Sequence, residues 1–217
     1  MKQSLLSIFS GILFTILFIT IGLCVSLFFK PFYYIEIDRL DISENSGYSK
    51  EEIIENYNAL IDYCSPFNHK ELKFPTFSSS KEALIHFEEV KRIFDSILLS
   101  GFVSFLLLIA IAYQKKKAKD YRYLRSSALI TVLLPLLVAI ASSIDFNKTF
   151  VLFHKIAFRN DYWIFSPETD PIITVLPEAF FFDAAILIAS CVIVGSIILE
   201  VIYRRQKRIS TGEISQR

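Results

Sequence analysis

Four apolar runs, residues 5–29, 93–113, 127–144 and 180–203, constrain this chain more than any other feature. Each reaches the roughly 18–25 residues that a helix needs to cross a hydrocarbon core about 30 Å thick. With 53% hydrophobic and only 21% charged residues, the chain falls outside the soluble globular class and is expected to be a membrane protein. The first run follows Lys2, as a secretory signal would. It is longer than a signal's apolar core of about 7–15 residues, however, and ends in Phe28-Phe29-Lys30-Pro31 without a small-residue cleavage site, so a retained span is expected. Bulky Leu23 before Cys24 argues against a lipoprotein acylation site.

Charge sets the expected orientation. Lys115, Lys116, Lys117, Lys119, Arg122 and Arg125 lie between runs two and three, and Arg204, Arg205, Lys207 and Arg208 follow run four, which points to cytoplasmic segments and two cytoplasmic termini. The expected order is residues 1–29 N-terminus and first span, 30–92 extracytoplasmic domain, 93–113 second span and 114–126 basic cytoplasmic loop. Residues 127–146 then form the third span, 147–179 an extracytoplasmic active-site loop, 180–203 the fourth span and 204–217 a basic cytoplasmic tail. These basic clusters are explained by topology and anionic lipid, leaving no support for a nucleic-acid partner. Asp95, Asp145, Asp183 and Glu200 all fall near span ends, so the runs lack the ionisable residues that mark a transport pathway.

Residues 30–92 are expected to form a small α+β domain. Tyr33, Ile35 and Ile37 alternate with Tyr34, Glu36 and Asp38, the period of a half-buried strand, and residues 71–74 suggest a second strand. Ser49-Lys50-Glu51-Glu52 reads as a capping box opening a helix toward Cys64. Ser79-Ser80-Lys81-Glu82 reads as a second, opening a helix that continues into span two. Three cysteines give no disulfide framework, and no base is evident beside Cys64.

Residues 147–179 hold side chains that a simple connector does not need. Phe150, Phe153, His154, Ala157 and Phe158 share one side of a predicted interfacial or re-entrant helix, followed by Asp161, Tyr162, the single Trp163, and Asp170-Pro171 as an expected helix N-cap. His86 shares a helical face with Val90, Ile93 and Ile97, so it should point inward, about 10 Å before the apolar run by the rise of a helix. His154 is expected at similar depth on the same side, whereas His69, beside Lys70 in a polar loop, is expected to be exposed.

The order of elements, with His86-Phe87-Glu88-Glu89-Val90-Lys91, Phe153-His154-Lys155, Asn160-Asp161-Tyr162-Trp163, Asp170-Pro171, Pro177-Glu178 and Phe180-Phe181, resembles Lit, the lipoprotein intramolecular transacylase family of Gram-positive bacteria. The resemblance runs from residue 5 to about 205 without departure from the pattern. It implies a polytopic α-helical enzyme of the bacterial cell membrane, with its active site at the extracytoplasmic face. The reaction it implies moves the sn-2 acyl chain of a diacylglyceryl-modified lipoprotein onto the α-amino group of its N-terminal cysteine, giving a lyso-form lipoprotein. Aminolysis of an ester needs a base, an acid and donors to an oxyanion. His86 and His154 are the expected acid–base pair. Asp161 or Asp170 is a candidate to orient an imidazole, Lys155 to support the oxyanion, and Trp163 with Phe153 and Phe158 to wall an acyl chain. Lys155 reads equally as a surface charge and Asp170 as a cap. No cofactor or metal is expected, since no His-Glu-x-x-His spacing is present. The expected partners are the lipoprotein substrate and membrane lipid; the alternative is a non-enzymatic four-span module that binds lipid or a protein.

Overall fold

The computed structural model describes residues 2–66 and 68–210; residues 211–217 of the expected basic tail lie outside the described residues. The chain runs α1 (Lys2–Phe28), α2 (Pro31–Arg39), α3 (Ile42–Ser46), α4 (Lys50–Tyr63), α5 (Lys81–Lys117), α6 (Arg122–Ile144), α7 (Phe146–Ala157), α8 (Ile172–Val175) and α9 (Glu178–Ser210). Helices α1, α5, α6 and α9 are long and apolar enough to cross a membrane. At 37 residues α5 is roughly 55 Å long, well beyond a hydrocarbon core of about 30 Å, and its apolar stretch begins only at Ile93.

Two compact units emerge. The first comprises Met1–Leu23, Ile97–Ile140 and Ile186–Arg217. Water-driven burial cannot hold helices together in lipid, so close backbone approach and hydrogen bonds do so. Gly22 lets α1 meet the α9 backbone, where an added Cβ would come within 2.8 Å of the Ile188 Cα. Gly101 of α5 is pressed by Thr20 of α1, whose hydroxyl donates to the Ile97 carbonyl at 3.2 Å. Ser10 and Ser127 join α1 to α6 at 2.9 Å, and Ser196 donates to the Ala128 carbonyl at 2.8 Å. Leu99, Phe102, Leu106, Leu133, Leu137 and Ile197 face outward, as lipid-facing positions of spans do.

The second unit comprises Cys24–Ser96 and Ala141–Ala185. Its core gathers Tyr33, Ile37, Ile42, Ile53, Tyr57, Leu60, Phe77, Phe87, Ile172, Val175 and Phe180. Tyr33 stacks on Tyr57 with ring centroids 3.7 Å apart and donates its hydroxyl to the Val175 carbonyl. Among the described residues there is no strand, so the expected α+β domain is helical. Residues 33–38 form part of α2, opened by Pro31 in its first turn. Tyr33 and Ile37 are buried in either geometry, but Ile35 is 62% exposed and Glu36 only 5%, the reverse of strand alternation. Glu36 accepts from Arg39, which also reaches Asp183 at the start of α9. Residues 71–74 are irregular and the chain beyond them is held by the fully buried Asn56. Its amide donates to the Glu52 carbonyl and the Thr76 hydroxyl, and its oxygen accepts from the backbone N–H groups of Thr76 and Phe77. One side chain thereby satisfies two backbone N–H groups of the irregular segment that leads to α5.

Both expected interhelical starts appear, with one change of frame. Ser49 accepts from the Glu52 N–H and caps α4, while the Glu52 carboxylate takes the Thr76 hydroxyl. At α5 the cap is Ser80, accepting from the Ala83 N–H at 3.1 Å, one residue later than the sequence pattern indicates.

Candidate active site

His86 is the sixth residue of α5 and only 6% exposed, so the expected inward orientation holds. What fixes this first turn is Asp170. The expected N-cap role of Asp170 toward its own following helix is not what its side chain does, since α8 has no side-chain cap bond. Instead one carboxylate oxygen accepts from the Ser80 N–H at 2.6 Å and the other from the Thr169 hydroxyl at 2.6 Å. Asp170 is 2% exposed. A carboxylate at a helix N-terminus satisfies an otherwise orphaned donor and favours the positive end of the helix dipole.

His154 lies near the end of α7, which Asp145 opens by accepting from the Lys148 N–H. It is 9% exposed, while Leu152, Phe153 and Ile156 on the same helix are exposed, so the helix is one-sided but Phe153, expected on the face of His154, lies on the exposed side. The ring centroids of His86 and His154 are 6.0 Å apart. Sixty-eight positions separate them in the chain, and the fold brings them into one site.

Aromatic rings enclose the pair. Phe158 stands edge-on to His86 at 4.6 Å and Phe165 at 5.4 Å, while Trp163 packs beside His154 at 4.8 Å and Phe150 at 4.3 Å. Burial lowers the affinity of both imidazoles for a proton. His86, two turns before the apolar stretch, is pushed down to about 4 by burial first and by the neighbouring His154 second. His154 is also lowered by burial, with partial opposition from its hydrogen bond to Phe150. That bond, 2.8 Å between Nδ1 and the Phe150 carbonyl, fixes the tautomer. A carbonyl only accepts, so Nδ1 carries the hydrogen and Nε2 keeps a lone pair.

Three buried polar atoms at this site have no hydrogen-bond partner among the described residues: His86 Nδ1, Trp163 Nε1 and Glu89 Oε2. Such atoms are uncommon in folded proteins because each forfeits its hydration. Glu89 lies one turn along α5 from His86, and its other oxygen accepts from the Asn160 amide at 2.9 Å. Sequence reasoning gave neither Glu89 nor Asn160 a role. The signal that points to Glu89 is its i, i+3 spacing from His86, which places both on one helix face. Of the remaining candidates, Lys155 and Asp161 are exposed, and the His154 imidazole donates to the Phe150 carbonyl rather than to a carboxylate. His69 is exposed, as expected. Cys64 is 2% exposed and its thiol is pushed up to about 12 by burial, which leaves little thiolate to act as a nucleophile. Among the described residues no three His, Cys, Asp or Glu side chains gather closely enough to hold a metal ion.

The family model described as lipoprotein intramolecular transacylase Lit matches residues 8–181. The in meso structure of the membrane-integral transacylase Lit from Bacillus cereus is 33% identical, with a TM-score of 0.93 over 97% of this chain and 98% of that one. A variant of the same Bacillus cereus protein in which a histidine is replaced by alanine gives a TM-score of 0.88 at 33% identity, over 97% and 96% of the two chains. A protein of Aquifex aeolicus (strain VF5), described as uncharacterized, is 26% identical over 195 residues, 86% of this chain and 88% of its own. With most of its length matched by the family model and a third of its residues shared with a solved transacylase, the chain belongs to the Lit family of lipoprotein intramolecular transacylases and is a membrane-integral acyltransferase.

Proposed function

We propose that His86 and His154 are the acid–base pair that moves the sn-2 acyl chain of a diacylglyceryl-cysteine N-terminus onto the α-amino group of that cysteine, at the extracytoplasmic face of the bacterial membrane. The observation that carries the assignment is the 6.0 Å separation of two buried imidazoles within one aromatic enclosure. The ammonium group gives one proton to a neutral imidazole, and the freed lone pair attacks the ester carbon while the carbonyl π electrons move onto oxygen. As the tetrahedral adduct collapses, nitrogen gives up a second proton and the bond to the glycerol oxygen breaks. That oxygen takes a proton from an imidazolium. The products are an amide and a free sn-2 hydroxyl, with one proton released to solvent.

Positioning supplies much of the acceleration, because amine and ester belong to one substrate and well-oriented groups gain about 7–11 kcal/mol. The buried, unpaired indole N–H of Trp163 beside His154 suits the developing oxyanion, a donor preorganised away from water. Asp170 acts at one remove, by fixing the start of α5, the helix that carries His86. The diacylated substrate holds its ester at headgroup level, and His86 stands about 10 Å before the apolar stretch by helical rise, a matching depth. In this reading residues 30–92 and 147–179 are extracytoplasmic, residues 114–126 and 204–217 cytoplasmic, and membrane lipid rather than nucleic acid surrounds the chain.

Mass spectrometry of the N-terminal lipopeptide of a lipoprotein, made with wild-type or variant enzyme, tests the assignment. His86→Gln and His154→Gln should each slow transfer by roughly 10²–10⁴-fold with folding retained, and the double variant should cost little more than the worse single one. Trp163→Phe, which keeps the ring and removes the donor, should lower kcat with little change in KM. Near-normal lyso-form production by either histidine variant would defeat the mechanism.

A further inference from the structure

We propose that Glu89 is the residue that receives the substrate's α-ammonium group, an inference that rests on the transacylase reading of this site. Its two oxygens are in different situations. Oε1 is held by the Asn160 amide, whose own oxygen accepts from the Tyr162 N–H at 3.1 Å and so closes the turn leading to Trp163. Oε2 is buried and has no partner among the described residues. The cations next along α5 are committed elsewhere: Lys91 donates to the Ser65 carbonyl and lies 3.5 Å from Asp95, and Arg92 pairs with Glu88. Glu89 therefore presents an unneutralised carboxylate oxygen one turn from His86, on the element that carries the reacting imidazole.

The substrate brings the complementary charge. An α-amino group titrates at about 7.7–8.0, so near neutral pH the N-terminal cysteine arrives mainly as a cation. Its thioether-linked diacylglyceryl group is neutral, leaving the ammonium as the charge that has to be accommodated among aromatic rings. An unpaired cation there is costly, and a charge-assisted hydrogen bond to a carboxylate offsets that cost. Held by Oε2, the ammonium is within one helical turn of His86, one member of the acid–base pair. Glu89 also separates substrate from product, because the N-acylated cysteine is a neutral amide with no claim on the carboxylate. Recognition and release then follow from one change of charge.

Binding of unreactive analogues to the purified full-length protein tests this directly. The probes are cysteinyl lipopeptides whose diacylglyceryl esters are replaced by ethers, with the α-amino group either free or acetylated. Wild-type protein should bind the free amine about 10- to 100-fold more tightly, the range expected for a charged hydrogen bond. Glu89→Gln retains a carbonyl oxygen for Asn160 and removes the charge, so it should erase the preference while leaving affinity for the acetylated analogue unchanged. A wild-type protein that binds both analogues equally, a comparison needing no variant, would overturn the proposal, as would a preference that survives in Glu89→Gln. Because the ethers cannot react, loss of the amine preference leaves the histidine turnover test standing, and failure of the histidine test leaves this result standing.

Discussion

Burial keeps both histidines as neutral imidazoles near neutral pH, ready to accept protons rather than already charged. The sign of the resulting pH dependence follows from His86, which titrates near 4 when folded and near 6.5 in an unfolded chain. Between these values the unfolded state holds more protons, so stability rises with pH through this window and declines as pH falls from about 6.5 toward 4. The apparent Tm in detergent should drop over that range, and less so in His86→Gln. Equal slopes would show that His86 is not the group responsible. Helical spacing placed His86 on an apolar face, His154 was expected at a similar depth on the same side, and the resemblance to the Lit family made the two the expected acid and base. Glu89 and Asn160 were not legible as site residues, although they stood inside the same motifs. A sequence shows which carboxylates are available, and it put Asp161 forward while giving Glu89 no role. Only packing decides that Asp161 is exposed and that one oxygen of Glu89 is enclosed without a partner.

At the scale of elements, the start of α5 is a joint between distant parts of the chain, closed by Asp170 on the Ser80 N–H. Removing it should act on stability and chemistry together, because His86 lies six residues into the helix. Asp170→Ala should cost on the order of 0.5–2 kcal/mol as a lost cap, with more from the donor left buried, and should reduce lyso-form production. Asp170→Asn keeps an acceptor oxygen and should retain more of both. Unaltered Tm and activity in Asp170→Ala would show that Ser79 and Ser80 suffice to start the helix. Elements with strong local signals were readable, namely the four apolar helices, Ser49 as a cap and the amphipathic α7. The reading of residues 33–38 as a strand failed because positions 33 and 37 fit both periods. Ile35 and Glu36 discriminate between them only once Arg39 is available to accompany a buried carboxylate. Asp170 was recognisable as a capping residue, but its helix begins ninety positions earlier, and local sequence does not encode that partner.

For the whole molecule, the proposed orientation has a simple check. Cys64 is too deeply buried to report on access, so exposed positions are needed. In intact cells Lys70→Cys should react with a membrane-impermeant thiol reagent and Lys116→Cys should not; the opposite pattern would invert the arrangement. The aromatic enclosure around the imidazoles carries a consequence for fidelity. Every acyl-transfer site faces a rival nucleophile, present in bulk at tens of molar, whose attack would liberate a fatty acid and leave the cysteine unmodified. Phe158, Phe165, Phe150 and Trp163 crowd His86 and His154, and an ester seated between the proposed pair would meet apolar rings where that rival needs space. In the proposed mechanism, rings that wall the acyl chain would thus also make the enzyme a poor esterase.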